Sequence, residues 1–123
     1  MTPRDALLAE GLREDQITYE NDIRYEDETG FFSYRMEHGF PYITHFLIWP
    51  DKRKGLNFLN LYHKFREMII KDGHLAFIAE VIPGKEAFEK FVQGLLGCKE
   101  PYAKVGDNKY YFIRLLRGKN ASL

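Results

Sequence analysis

From residue 17 the hydrophobic positions fall on alternate residues, and beyond residue 55 they return every three or four. Ile17, Tyr19, Ile23 and Tyr25 occupy odd positions, the period of a strand. Glu26 to Gly30 is a polar turn. Phe32, Tyr34 and Met36 then alternate, so Asp22 to Met36 reads as a hairpin. His38-Gly39-Phe40-Pro41 is a second turn. Tyr42 to Trp49 is nearly all apolar, as in a strand covered on both faces. Three consecutive antiparallel strands result. Ahead of them, Thr2-Pro3-Arg4-Asp5 has the chemistry of a helix start: a threonine N-cap, proline at the first helical position and an acid in the first turn. This helix is expected to be weak and to end near Gly11 to Asp15.

The second half alternates helices and strands. Gly55 to Asp72 has no proline and no internal glycine. Phe58, Leu61, Tyr62, Phe65, Met68 and Ile69 form one stripe, with Asn60, His63, Lys64, Glu67 and Lys71 opposite. Gly73 is a natural stop. His74 to Val81 is a short apolar strand, which the strand–helix–strand order makes parallel to the one before. Pro83-Gly84 breaks the chain, and Ala87, Phe88, Phe91, Val92, Leu95 and Leu96 mark a second amphipathic helix ending at Gly97. Tyr102 to Val105 and Lys109 to Leu116 are strands around Gly106-Asp107-Asn108, and the polar tail Gly118 to Leu123 is expected to be loose.

Composition narrows the function classes. The chain of 123 residues is read as one domain. Its 45% hydrophobic and 29% charged residues are those of an ordinary soluble protein, and ten Phe with eight Tyr point to a core built on rings. Eighteen basic residues balance 18 acidic ones, which argues against a dedicated nucleic-acid binder. A lone cysteine, Cys98, excludes an internal disulfide and fits a reducing compartment. No apolar run reaches the ~20 residues of a membrane span, and Arg4-Asp5 before a short apolar patch is not a signal peptide. The expected setting is cytoplasmic, with no membrane partner.

One hexad carries candidate chemistry. Lys52-Arg53-Lys54-Gly55-Leu56-Asn57 follows the apolar strand and opens the amphipathic helix. A helix N-terminus has unpaired N–H groups and a dipole that favours anions. Gly55 lets the backbone approach a ligand, and the basic triplet adds charge. The same pattern is also that of an ordinary solvated basic loop.

The whole order resembles the GNAT-type N-acetyltransferase superfamily over roughly Asp22 to Leu116. That core runs as an antiparallel meander, a strand ending at a pyrophosphate loop, a long helix, a strand, a helix and a final hairpin. The resemblance implies an α+β (α/β) domain with a GNAT-like mixed sheet. The family's loop is Gln or Arg, two residues, Gly, one residue, then Gly or Ala. Gly55 matches the central glycine, while Lys52 replaces the leading residue and Asn57 the small final one. Leu47-Ile48-Trp49-Pro50 is similar to the family's strand end. Ala87 matches a later alanine, Gly84 stands where Asn is usual, and Phe91 stands near the usual Tyr. The region before Asp22 has room for one helix, where the family often has a strand and two helices. The resemblance implies acetyl-CoA as cofactor. The groups expected to meet it are Leu47, Ile48, Trp49, Lys52, Arg53, Lys54, Gly55, Leu56 and Asn57.

In that family an amine attacks the thioester directly, with a base for the amine proton and an acid for the thiolate. His45 is a candidate base because imidazole titrates near neutral pH, and it is equally a histidine packed in a strand. Glu37 and Glu80 are further carboxylates for that role, or solvated strand ends. Phe91 cannot donate a proton, whereas Tyr110 and Tyr111 carry hydroxyls. The four histidines have no metal-ligand spacing, so no metal is expected. Cys98 follows a helix C-terminus, where the dipole disfavours a thiolate. Three readings stand. One is an acetyl-CoA-dependent N-acyltransferase acting on an amine, with an open acceptor side that favours a peptide or protein. The second is a non-catalytic GNAT-fold binding or assembly module, for instance of a phage or mobile element. The third is an unrelated α/β interaction domain touching nucleic acid through Lys52 to Lys54.

Overall fold

The computed structural model describes residues 2–96 and 100–115. Gly97 as a helix stop, Cys98, the strand end at Leu116 and the tail from Gly118 lie outside the described residues. In chain order the elements are α1 (Pro3–Ala9), a 3-10 turn (Glu14–Gln16), β1 (Ile23–Glu26), β2 (Gly30–Glu37), β3 (Phe40–Ile48), a second 3-10 turn (Pro50–Lys52), α2 (Asn57–Lys71), β4 (Ala76–Val81), α3 (Glu86–Leu96), β5 (Ala103–Val105) and β6 (Asn108–Arg114). The strands form one mixed, open sheet in the order β1-β2-β3-β4-β6-β5. β1 and β2 are antiparallel, from Ile23↔Tyr34 to Glu26↔Phe31. β3 and β4 are parallel, with Tyr42↔Ile78 and Ile43↔Ala79 in register. A parallel pair needs a crossover, and α2 supplies it. β6 lies antiparallel between β4 and β5. The fold is therefore α+β, as the periodicities predict.

Local chemistry explains the element ends. Thr2 caps α1 by accepting the Asp5 N–H at 3.1 Å, with Pro3 at the first helical position. α2 stops at a Schellman motif. Gly73, at φ 92°, donates to Ile70 O, and His74 donates to Ile69 O, both at 2.9 Å.

Three expectations are corrected. Ile17 and Tyr19 are not in a strand, which begins only at Ile23. Their alternation comes from packing: Ile17 is buried with Ala6, Leu7 and Leu47, and Tyr19 sets its ring edge-on to Phe31 at 5.1 Å. Phe40 and Pro41 belong to β3, because the turn is only His38-Gly39, at φ 53° and 85°. Two consecutive left-handed residues close a tight hairpin whose twist matches its strands. α2 starts at Asn57 rather than Gly55, because Gly55 at φ 66° is not helical. Leu56 O takes the first helical bond, from Asn60 N–H at 2.8 Å.

The chain divides into two compact units. The first holds Met1–Arg35 and Thr44–Met68. There α2 buries Leu61 and Phe65, and Phe65 meets Phe32 and Tyr34 edge-on at 5.3 and 5.7 Å. Such a ring contributes about 2–3 kcal/mol by burial. The second unit holds Met36–Ile43 and Ile69–Leu123. Its core is Phe77, Ala79, Val81, Val92, Tyr111 and Ile113, with α3 packed on β4 and β6. Among the described residues no helix is long and apolar enough to cross a membrane.

Candidate functional site

The basic hexad sits where β3 gives way to α2. Pro50–Lys52 forms a 3-10 turn, closed by Lys52 N–H to Trp49 O at 2.8 Å. Asn57 Nδ2 reaches back to Lys52 O at 2.8 Å and ties the loop to the first turn of α2. Gly55 is exposed, and a Cβ there meets nothing within 4 Å, so its role is conformational: φ 66° is left-handed. Lys52 and Lys54 are exposed and form no ion pair among the described residues. Leu56 is 69% exposed.

Arg53 is committed elsewhere. Its Nε donates to Ile48 O at 3.0 Å, and its guanidinium pairs with Glu10 at the end of α1. The strand end is also largely satisfied within its own unit. Trp49 N–H donates to Thr29 O at 3.1 Å, and the indole Nε1 donates to Asp27 O at 2.8 Å. Leu47 is buried, and its carbonyl lies against Gly30, where a Cβ would come within 2.1 Å of it. Of the nine residues expected at a cofactor, the loop therefore leaves Lys52, Lys54, Gly55 and Leu56 outward, while Leu47, Trp49 and Arg53 are engaged in the fold.

His45 is buried in β3, and its Nε2 accepts the Thr18 N–H at 3.2 Å. The neutral ring then carries its proton on Nδ1. Tyr19 lies edge-on to it, with centroids 5.9 Å apart. Those partners are those of a packing histidine, and a base role would require that bond to break. Glu37 ends β2 beside the His38-Gly39 turn and is half-buried. Tyr111 is buried under α3, where its hydroxyl donates to Glu89 Oε2 at 2.8 Å and accepts from Gln93 at 3.1 Å. Burial, then the Glu89 carboxylate, raise its pKa. Phe91 is half-buried on α3 and Ala87 is exposed. Among the described residues no group of His, Cys, Asp and Glu could hold a metal ion.

Two polar networks in the first unit have no periodic signal in the sequence. Asp22, its side chain only 4% exposed, accepts the Thr44 hydroxyl at 2.6 Å, and Thr44 Oγ1 in turn accepts the Ser33 hydroxyl at 2.6 Å. Arg35 Nε lies 3.3 Å from Asp22 Oδ1, an ion pair without hydrogen-bond alignment. Its Nη2 donates to Thr18 Oγ1 at 3.0 Å. The second network closes the β1–β2 turn. Asp27 Oδ1 accepts N–H groups of Thr29 and Gly30, and its Oδ2 accepts Lys64 at 2.6 Å and Tyr25 at 2.9 Å. Burial alone would raise this carboxyl. The Lys64 bond, then the N–H and hydroxyl donors, outweigh it and bring the pKa down to about 2.

A third cluster belongs to the second unit. Glu80 on β4 accepts Tyr42 from β3, and from β6 it accepts Asn108 Nδ2 at 2.7 Å and Tyr110 at 3.1 Å. Glu80 and Tyr110 are individually legible as a strand-end carboxylate and a hydroxyl, but their convergence with Tyr42 needs the β3-β4-β6 order. Burial, and then the Glu80 carboxylate, raise both tyrosine pKa values, so both hydroxyls remain donors at neutral pH. No family model, curated protein or solved structure matches this chain.

Proposed function

We propose that this chain is an acetyl-CoA-dependent N-acyltransferase of the GNAT type, working in the cytoplasm on an amine carried by a peptide or protein. The observation that carries the reading is the succession of β3, basic loop, α2 and β4 along the chain, with β3 and β4 parallel and a left-handed, unobstructed glycine in the loop. Supporting it, α3 and a final hairpin follow β4 in the chain order that the resemblance implies. In this reading backbone N–H groups from Arg53 to Asn57 receive the pyrophosphate, and Lys52 and Lys54 contribute the unpaired charge. Arg53 braces the loop against Ile48 O and Glu10 instead of meeting phosphate.

The transfer forms an N–C bond as the amine attacks the thioester carbonyl, and breaks the C–S bond. The base takes the amine proton and the thiolate takes one from an acid. Positioning alone supplies much of such a rate. Glu37 and Glu80 are both half-buried carboxylates of the second unit, whereas the loop belongs to the first, and His45 acts only through a water or a displaced Thr18 bond. Intact-mass analysis of lysine peptides after incubation with acetyl-CoA tests the reading: a gain of one acetyl group that depends on the protein supports it. No gain, with no acetyl-CoA binding, removes it. A GNAT-fold binding module without catalysis is the second reading. The engagement of His45 Nε2 by backbone favours it, and cofactor binding without transfer would establish it.

A further inference from the structure

In the second unit the two faces of the sheet are treated differently. Phe77, Ala79, Val81, Tyr111 and Ile113 are buried on the face that carries α3. On the opposite face Ile78, Glu80, Tyr110 and Phe112 are all half-buried, and Tyr42 and Phe40 join them from β3. Glu80 sits among aromatic rings: Tyr42 and Tyr110 flank it from the two neighbouring strands, their centroids 6.4 Å apart and inclined at 46°. The carboxylate takes three neutral donors and, among the described residues, no cation. Hydrogen bonds alone therefore hold a negative charge on a half-open face of electron-rich rings. That combination attracts an alkylammonium, through the carboxylate and through the ring quadrupoles.

Beside it the rings continue. Phe40 meets Phe112 edge-on at 5.0 Å, and Phe112 meets Tyr102 at 6.0 Å. Tyr102 is 79% exposed and Val105 67%, at the edge strand β5. A free amine has no use for this flank, whereas the residues on either side of a lysine in a polypeptide do.

We infer that the face formed by Tyr42, Glu80, Tyr110 and Phe112 binds a lysine side chain of a partner polypeptide, with the ammonium at Glu80 and apolar neighbours on Phe112 and Tyr102. Binding needs no acetyl-CoA, so it stands apart from the acyltransferase reading and is measured in the absence of cofactor.

The test is an amide NMR titration of the full chain with a capped peptide carrying one lysine between apolar residues. The comparison ligands are its norleucine analogue and n-butylamine. The lysine peptide should give saturable shifts around Tyr42, Glu80 and Tyr110, and the norleucine peptide should bind at least about tenfold more weakly. Glu80→Gln, which preserves shape and removes the charge, should weaken the lysine peptide by about tenfold. Tyr42→Leu should weaken it by removing a ring. Equal binding of the lysine and norleucine peptides, or no saturable shift, overturns the inference without any variant. Binding of n-butylamine as tight as that of the peptide overturns the polypeptide part.

Discussion

At the scale of single residues, the glycines separate conformational from steric roles. Gly55 has open space but a left-handed backbone, whereas Gly30 has an ordinary backbone and no space. Gly55→Asn should cost little, because asparagine tolerates this region. Gly55→Glu should cost about 1 kcal/mol in stability and abolish acetyl-CoA binding, because it sets a carboxylate against the phosphates. Calorimetry on both variants reads the difference, and a Gly55→Glu protein that still binds the cofactor would dismiss this loop. Gly30→Ala should instead be a folding lesion of about 3 kcal/mol, because its Cβ would lie 2.1 Å from the Leu47 carbonyl and no flexible side chain can yield. Urea denaturation checks it; a loss below about 1 kcal/mol would mean that β2 and β3 can part there cheaply. Asp27 gives a pH signature. Its folded pKa, about 2, lies below its ordinary value, so it binds a proton less readily folded than unfolded. Its stabilisation is present above pH ~4 and lost as pH falls through about 2, and with Lys64 half in solvent it amounts to roughly 1–2 kcal/mol. Asp27→Asn should flatten the acid limb of the stability–pH curve by that amount. An unchanged acid limb would place the titration elsewhere.

At the scale of elements, α2 was the most legible part of the chain. Its stripe of Leu61, Phe65 and Ile69 is buried as the period of 3.6 demands. Phe65→Ala should cost about 3–5 kcal/mol, since the ring is fully buried against Phe32 and Tyr34. A thermal-melt loss comparable to that of an exposed-residue control such as Leu56→Ala would contradict the packing. The hairpins were legible too, because alternation and glycine turns are local signals. The segment from Ile17 to Asp22 was not. A residue docked onto a sheet face and a residue within a strand can leave the same alternating trace, and only the missing partner strand tells them apart. Asp22 illustrates the limit at the candidate sites. It reads as a polar position at the start of the first hairpin, yet its carboxylate is buried under Thr44 and Arg35. Likewise Arg53 reads as part of a basic patch, and only its position beside Glu10 and Ile48 O shows that it braces the loop.

At the scale of the whole molecule, the sheet order β1-β2-β3-β4-β6-β5 joins a local antiparallel meander to a parallel crossover and a closing hairpin. Each connection follows from the alternation of strand and helix periods, which is why the architecture could be anticipated from one sequence. The chemistry could not be anticipated as fully, because sites depend on which groups remain unpaired after folding. The loop retains Lys52, Lys54 and Gly55 facing outward, while His45, Trp49 and Arg53 are drawn into structural bonds. In the proposed reading the loop therefore keeps outward groups for a cofactor, whereas the candidate base His45 is already hydrogen-bonded. The most direct measurement is calorimetric titration of the full chain with acetyl-CoA, with Lys52→Ala/Lys54→Ala and Gly55→Glu variants in parallel. Saturable binding that weakens with salt and in the double-alanine variant, and disappears with Gly55→Glu, is the expected result. No heat of binding at millimolar acetyl-CoA, or binding indifferent to all three positions, would contradict a GNAT-type acyltransferase.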